Sequence, residues 1–193
     1  MMEVLVLASN NQHKIEEMNL AAGSSFLFKG LAEIGCFEEL PETKSTLEDN
    51  ALQKAQYVFD HYHHSCFADD TGLEVEALNG EPGVYSARYA GPLRNSVDNI
   101  RLLLKRMNGL TNRNAQFRTV IALVKPSGVT LFEGIVKGEI VTQQRGERGF
   151  GYDSVFQPFG YSKTFAEMTM DEKNKISHRA IAVKKLLEYL RKE

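Results

Sequence analysis

Residues Cys66–Gly91 read CFADDTGLEVEALNGEPGVYSARYAG. The apolar run Cys66-Phe67-Ala68 delivers two adjacent carboxylates, Asp69 and Asp70, into a predicted Thr71-Gly72 turn. Acids at the end of a buried strand are costly to desolvate unless something pairs with them. A hard cation such as Mg²⁺ is a fitting partner, because it takes oxygen ligands and usually brings a substrate phosphate with it. Side chains of an extended strand alternate between faces, so Asp69 and Asp70 cannot both point at one ion. One is a candidate ligand or base, and the other caps a turn. An Asx-turn that only closes the strand also satisfies Asp-Asp-Thr-Gly, and on this stretch alone both readings stand.

Outward from this segment, Val4–Ala8 reads as a fully apolar strand suited to the interior of a parallel or mixed sheet. Ser9-Asn10-Asn11 offers N-cap residues for a helix to about Ala22, and Phe26–Phe28 makes a second short strand. Residues 30–46 read as loop. Thr46 with Asp49 three residues on resembles a capping box, opening a helix through about Phe59. Residues 79–95, with three glycines and two prolines, form a structured loop. Ser96–Met107 is an amphipathic helix with Ile100, Leu103, Leu104 and Met107 on one face. Ala115–Lys125 and Val129–Val141 are two long strands around a Pro126-Ser127-Gly128 turn, followed by the Gly-rich loop Gly146–Gly151. From about Met168 one or two helices lead to a charged tail. This order is α/β with a mixed sheet.

A length of 193 residues fits one domain, or one domain with two lobes, and suffices to bury a core without disulfides. Cys36 and Cys66 each precede a phenylalanine and are expected as buried reduced thiols of a cytoplasmic protein. The N-terminal apolar run is too short for a signal peptide, and no segment approaches a membrane span. A net charge of −2 argues against a broad nucleic-acid surface.

Ser9-Asn10-Asn11-Gln12-His13-Lys14 lies where a strand meets a helix. Backbone N–H groups and the dipole at a helix start attract anions, and Lys14 adds a charge. The turn is no Walker A loop, and polar strand-to-helix turns are common. Glu42 lies in the loop before the second helix, where Asn50 and Lys54 share a face. That face either presents an amide and an ammonium to a metal–phosphate cluster or is solvated surface. In Phe150-Gly151-Tyr152-Asp153 the rings either stack on a nucleobase or tuck into the core. Lys173 and Ser177-His178-Arg179 bring donors that suit the O6 of a 6-keto purine, although SHR taken singly is an ordinary helix start. His61-Tyr62-His63-His64 reads as a helix end complementing the dipole and not as a zinc site.

In one order along the chain stand SxNxxK, an acid in a loop, NAxxKA, ADDTGLxVxAL, GxPGVYSARYAG, FGYD and EKNxISHR. Together they closely resemble the inosine triphosphate pyrophosphatase family, the RdgB-like nucleoside triphosphate pyrophosphatases, from Val4 to about Leu190. The resemblance implies one domain over residues 1–193, with an elongated mixed sheet and two helical lobes flanking a central substrate cleft. It implies a Mg²⁺-dependent, cytoplasmic homodimer that hydrolyses ITP, dITP and XTP to the monophosphate and pyrophosphate. By similarity, Ser9, Asn10, Asn11, Gln12, His13, Lys14 and Lys54 hold phosphates, and Glu42 and Asp70 bind Mg²⁺. Asp70 is also the base, Thr71 touches the nucleotide, and Phe150, Gly151, Tyr152, Asp153, Lys173, His178 and Arg179 form the base pocket. The chain departs from the family pattern at Asn10 and Gln12-His13, where glycine is usual, and at Asp49, where Glu is usual. A purine triphosphate sensor without hydrolysis, a Maf-like pyrophosphatase and a nucleic-acid-binding protein are the rival readings. An intact acid pair, the SHR and FGYD segments, and the net charge speak against them in turn.

Overall fold

β1 (Glu3–Leu7) is parallel to both its neighbours, β2 (Phe26–Lys29) and β3 (Cys66–Val75), in the computed structural model, which describes residues 3–23 and 26–192. The register pairs Leu5 with Phe28 on one side and Leu7 with Phe67 on the other. The remaining strands are β4 (Pro82–Gly83), β5 (Asn114–Lys125), β6 (Gly128–Ile140) and β7 (Phe156–Pro158). The helices are α1 (Gln12–Ala22), α2 (Leu47–Tyr62), α3 (Ser96–Arg106), α4 (Met170–Asn174) and α5 (His178–Leu190). Strand order is β2-β1-β3-β5-β6-β7, with β4 antiparallel beside β3 and β7 antiparallel to β6. The sheet is therefore mixed, as the order of elements suggests. The described residues fall into two compact units, one built from stretches within 1–70, 119–134 and 178–193, the other from 71–118 and 135–177.

In the first unit the two-residue period of the strands sorts side chains into two cores. Leu5 and Leu7 of β1, Phe67 of β3, and Ile121 and Leu123 of β5 cluster with Met18 of α1 and Ala182, Val183 and Leu186 of α5. Val6 and Ala8, Cys66 and Ala68, and Ala122 and Val124 cluster instead with Ala51, Ala55 and Val58 of α2. A strand covered by helices on both faces must be apolar at every position, which is why β1 shows no alternation. Each such Leu or Phe contributes about 1.5–3 kcal/mol by burial. Both cysteines are buried and free.

The second unit buries Leu73 and Val75 of β3, Ile100 and Leu103 of α3, and Phe117, Tyr152, Phe156 and Phe165 in one cluster. Phe156 meets Phe117 edge to face at 4.7 Å and Phe165 at 5.2 Å between ring centroids. The expected Thr71-Gly72 turn does not form, because β3 continues unbroken to Val75. Gly72 serves close approach: a Cβ there would lie 2.6 Å from the carbonyl oxygen of Gly83 on β4. Among the described residues no helix is long and apolar enough to cross a membrane.

Gly134 of β6 plays the same part in the first unit. An added Cβ would lie 1.9 Å from the His178 carbonyl oxygen and 2.7 Å from the Ala182 nitrogen, so the first turn of α5 rests on bare backbone. Gly134→Ala is expected to destabilise the protein by about 1–3 kcal/mol in urea denaturation, as overpacking does. An unchanged midpoint would contradict this contact.

Candidate active site

The pleat of β3 decides what its two acids meet. Asp69 follows the phase of Phe67 toward α1 and α5, and Asp70 follows Ala68 toward α2. Asp69 is 1% exposed. Its Oδ1 lies 3.0 Å from Lys14 Nζ of α1, and its Oδ2 accepts from Arg179 Nε and Nη2 of α5 at 3.4 Å. Arg179 Nη1 also pairs with the buried Glu17 of α1. Burial alone would raise the Asp69 carboxyl, but Lys14, Arg179 and Lys54 outweigh it and hold the group well below the usual carboxylate range. The expectation that the second acid caps a turn fails here: Asp69 anchors two cations.

Asp70 Oδ1 lies 3.6 Å from Lys54 Nζ of α2, and the same ammonium donates to Glu42 Oε1 at 2.7 Å and to the Asp69 backbone carbonyl at 2.8 Å. Glu42 and Asp70, 28 residues apart in sequence, therefore share one cation. Burial is the main influence on Asp70 and raises it above the ordinary aspartate; Lys54 and Lys14 oppose this, while Glu42 and Asp69 add to it. Lys54 is itself pushed down by burial, yet Asp70, Glu42 and Asp69 leave it above the usual lysine, hence charged.

Glu42 is placed by its loop. Asn50 Oδ1 accepts from the Lys44 N–H at 2.9 Å, and Gln53 accepts from the Thr43 N–H at 3.0 Å. Thr46 caps α2 by accepting from the Asp49 N–H. Asn50 thus grips the loop and does not share a task with Lys54. Two hard carboxylates around one ammonium suit Mg²⁺, which commonly takes one or two protein carboxylates and completes its shell with phosphate and water. Among the described residues no group of three or more His, Cys, Asp or Glu could hold a metal by itself.

The polar turn behaves as a helix start. Asn11 accepts from the Lys14 N–H at 3.3 Å as N-cap of α1, and Ser9 Oγ accepts from the Asn11 N–H at 3.1 Å. Asn10, Asn11, Gln12 and His13 are exposed, and Lys14 is half-buried. Burial pushes the Lys14 ammonium down, with Asp69 raising it and Lys54 and Arg179 lowering it. His61 stacks on Tyr57 at 4.1 Å, and His63 ends α2 in the left-handed conformation.

In the second unit Lys173 and Asp153 form a buried pair at 2.7 Å. Asp153 Oδ2 also accepts from the Phe150 N–H at 2.9 Å, closing the turn that carries Gly151. Lys173 Nζ sits 5.0 Å from the Phe150 ring centroid and 5.5 Å from that of Phe165. Phe150 is half-buried, whereas Tyr152 is turned into the core and donates to the Ser86 carbonyl at 2.9 Å. The Tyr152 ring therefore offers no stacking face. Half-buried Thr71 begins this unit's part of β3, while buried His178 opens α5 in the first. The sequence reading singled out Asn50 for the face it shares with Lys54 and not as a loop support, and it missed Glu17 and Gln53. Of these two, Glu17 carried a signal: an acid beside Met18 on the apolar side of α1, three residues after Lys14.

Residues 5–189 match the model of the Ham1 family. A dITP/XTP pyrophosphatase of Flavobacterium psychrophilum is 52% identical over 187 residues, covering 97% of this chain and 98% of its own. One of Porphyromonas gingivalis is 50% identical over 190 residues, 98% of both chains. The HAM1 protein of Coxiella burnetii superposes with a TM-score of 0.90 at 35% identity over 100% of both chains. The Ham1 protein of Staphylococcus aureus does so with a TM-score of 0.89 at 40% identity over 98% of both. The resemblance read from the motifs thus extends over nearly the whole chain, which belongs to the Ham1 family.

Proposed function

We propose that this protein hydrolyses the triphosphates of deaminated purines, ITP, dITP and XTP, to the nucleoside monophosphate and pyrophosphate. The observation that carries the chemistry is the sharing of Lys54 by Asp70 and Glu42. The substrate class comes from relatives named dITP/XTP pyrophosphatase.

Water attacks the α-phosphorus in line; the new P–O bond forms as the bridging oxygen departs with pyrophosphate. Asp70, made more basic by burial, accepts the water's proton. The start of α1 and the ammonium groups of Lys14 and Lys54 stabilise phosphate charge, which dominates such reactions. Glu42 and Asp70 would hold Mg²⁺, which when bound neutralises phosphate oxygens and lowers the pKa of a bound water. In the second unit Phe150 offers its ring and Gly151 its backbone to the purine, with Lys173 as a further base-end donor. Cytoplasmic residence and a homodimer complete the proposal, and a monomer mass in light scattering would remove the dimer.

Asp70→Asn is expected to cut pyrophosphate release by about 10²–10³-fold or more while leaving the thermal melt unchanged. Wild-type turnover in that variant would refute the base assignment. Glu42→Gln should raise the Mg²⁺ concentration needed for half-maximal rate, and an unaltered Mg²⁺ dependence would exclude it as a ligand. On a panel of ITP, dITP, XTP, ATP and GTP, pyrophosphate should appear fastest with the first three. Binding of all without release of pyrophosphate would favour the sensor.

A further inference from the structure

Four charged side chains in the first unit form an alternating chain: Glu17, Arg179, Asp69, Lys14. The inner members are sealed, with side-chain exposures of 4% for Glu17, 3% for Arg179 and 1% for Asp69; Lys14, at 18%, alone reaches solvent. The two acids balance the two cations, so the chain is neutral and each internal charge has an opposite neighbour. A buried ion is tolerated only under that condition. Arg179 is fixed at both ends, by Glu17 through Nη1 and by Asp69 through Nε and Nη2. Asp69 divides its oxygens, Oδ2 to Arg179 and Oδ1 to Lys14.

We infer that Glu17 is a positioning residue for the triphosphate: by holding Arg179, it fixes how Asp69 presents the Lys14 ammonium to phosphate. The inference rests on the proposed function for the identity of the anion, but Glu17 belongs to none of the motifs that led there. Without the Glu17 carboxylate, Arg179 loses the acid at Nη1 and draws the Asp69 carboxylate toward itself. Lys14 then loses its fixed partner and gains rotamer freedom, which must be given up again when phosphate binds. The effect falls on binding of the phosphate tail and not on proton transfer at Asp70, which lies on the opposite face of β3.

The test uses the full-length protein with Glu17→Gln and Glu17→Asp, the second keeping the charge and retracting it by one methylene. Glu188→Gln, an exposed change on α5 with the same charge effect, is the control. Steady-state turnover of ITP and calorimetric binding of inorganic tripolyphosphate are both measured with Mg²⁺ present. Glu17→Gln is expected to raise KM and weaken tripolyphosphate about ten-fold, the low end of one charge-assisted hydrogen bond, with kcat within about three-fold. Glu17→Asp should fall between it and wild type, and decides the matter if the Gln variant does not fold. A lowered melting temperature with unchanged KM and tripolyphosphate affinity in the folded variants would overturn the inference and leave Glu17 purely structural. Wild type that binds tripolyphosphate but releases no pyrophosphate from ITP would sink the hydrolase proposal alone, and the calorimetric comparison would still judge Glu17.

Discussion

The arrangement depends on the pleat of one strand. Because successive side chains of β3 leave on opposite faces, two neighbouring aspartates enter different electrostatic surroundings one residue's rise apart. Asp69 meets Lys14 and Arg179 and is held ionised; Asp70 meets one lysine that it shares with a second acid. The first acid is saturated with cations and serves as an anchor. The second is under-compensated for its burial, a condition that a divalent cation or a transferred proton relieves.

Such a division needs a sheet covered on both faces, since an exposed face would screen its acid with water. The first unit provides this through α1 and α5 on one side and α2 on the other, each contributing a cation at the level where the apolar part of β3 ends. Lys14, Lys54 and Arg179 come from three helices far apart in sequence. The bare backbone of Gly134 lets the first turn of α5 settle against β6. The loop carrying Glu42 is tied to α2 by Asn50 and Gln53, so the second carboxylate is set by the helix that bears Lys54.

Local rules made much of this legible. The unbroken apolar run of β1, the Asn11 and Thr46 caps, the face of α3 and the hairpin at Pro126-Ser127 all depend on neighbours within a few residues, and each formed where expected. The alternation rule also separated Asp69 from Asp70 correctly. Failures came where a distant segment decides. Gly72 looked like a turn former, but its purpose is set by Gly83 on the neighbouring strand. Arg179 looked free to read a base, yet its partner Asp69 lies 110 residues away in the chain. Tyr152 looked like a stacking ring, and the Ser86 carbonyl takes its hydroxyl inward.

The division of roles between the two aspartates is read most directly from their titration. Carboxyl-labelled aspartates, assigned by substitution and followed by ¹³C NMR across acidic pH, report each group separately. The account predicts that Asp69 stays ionised below the pH at which an ordinary aspartate protonates, and that Asp70 takes up its proton above it. Titration of both at the ordinary value, or in the reverse order, would contradict it.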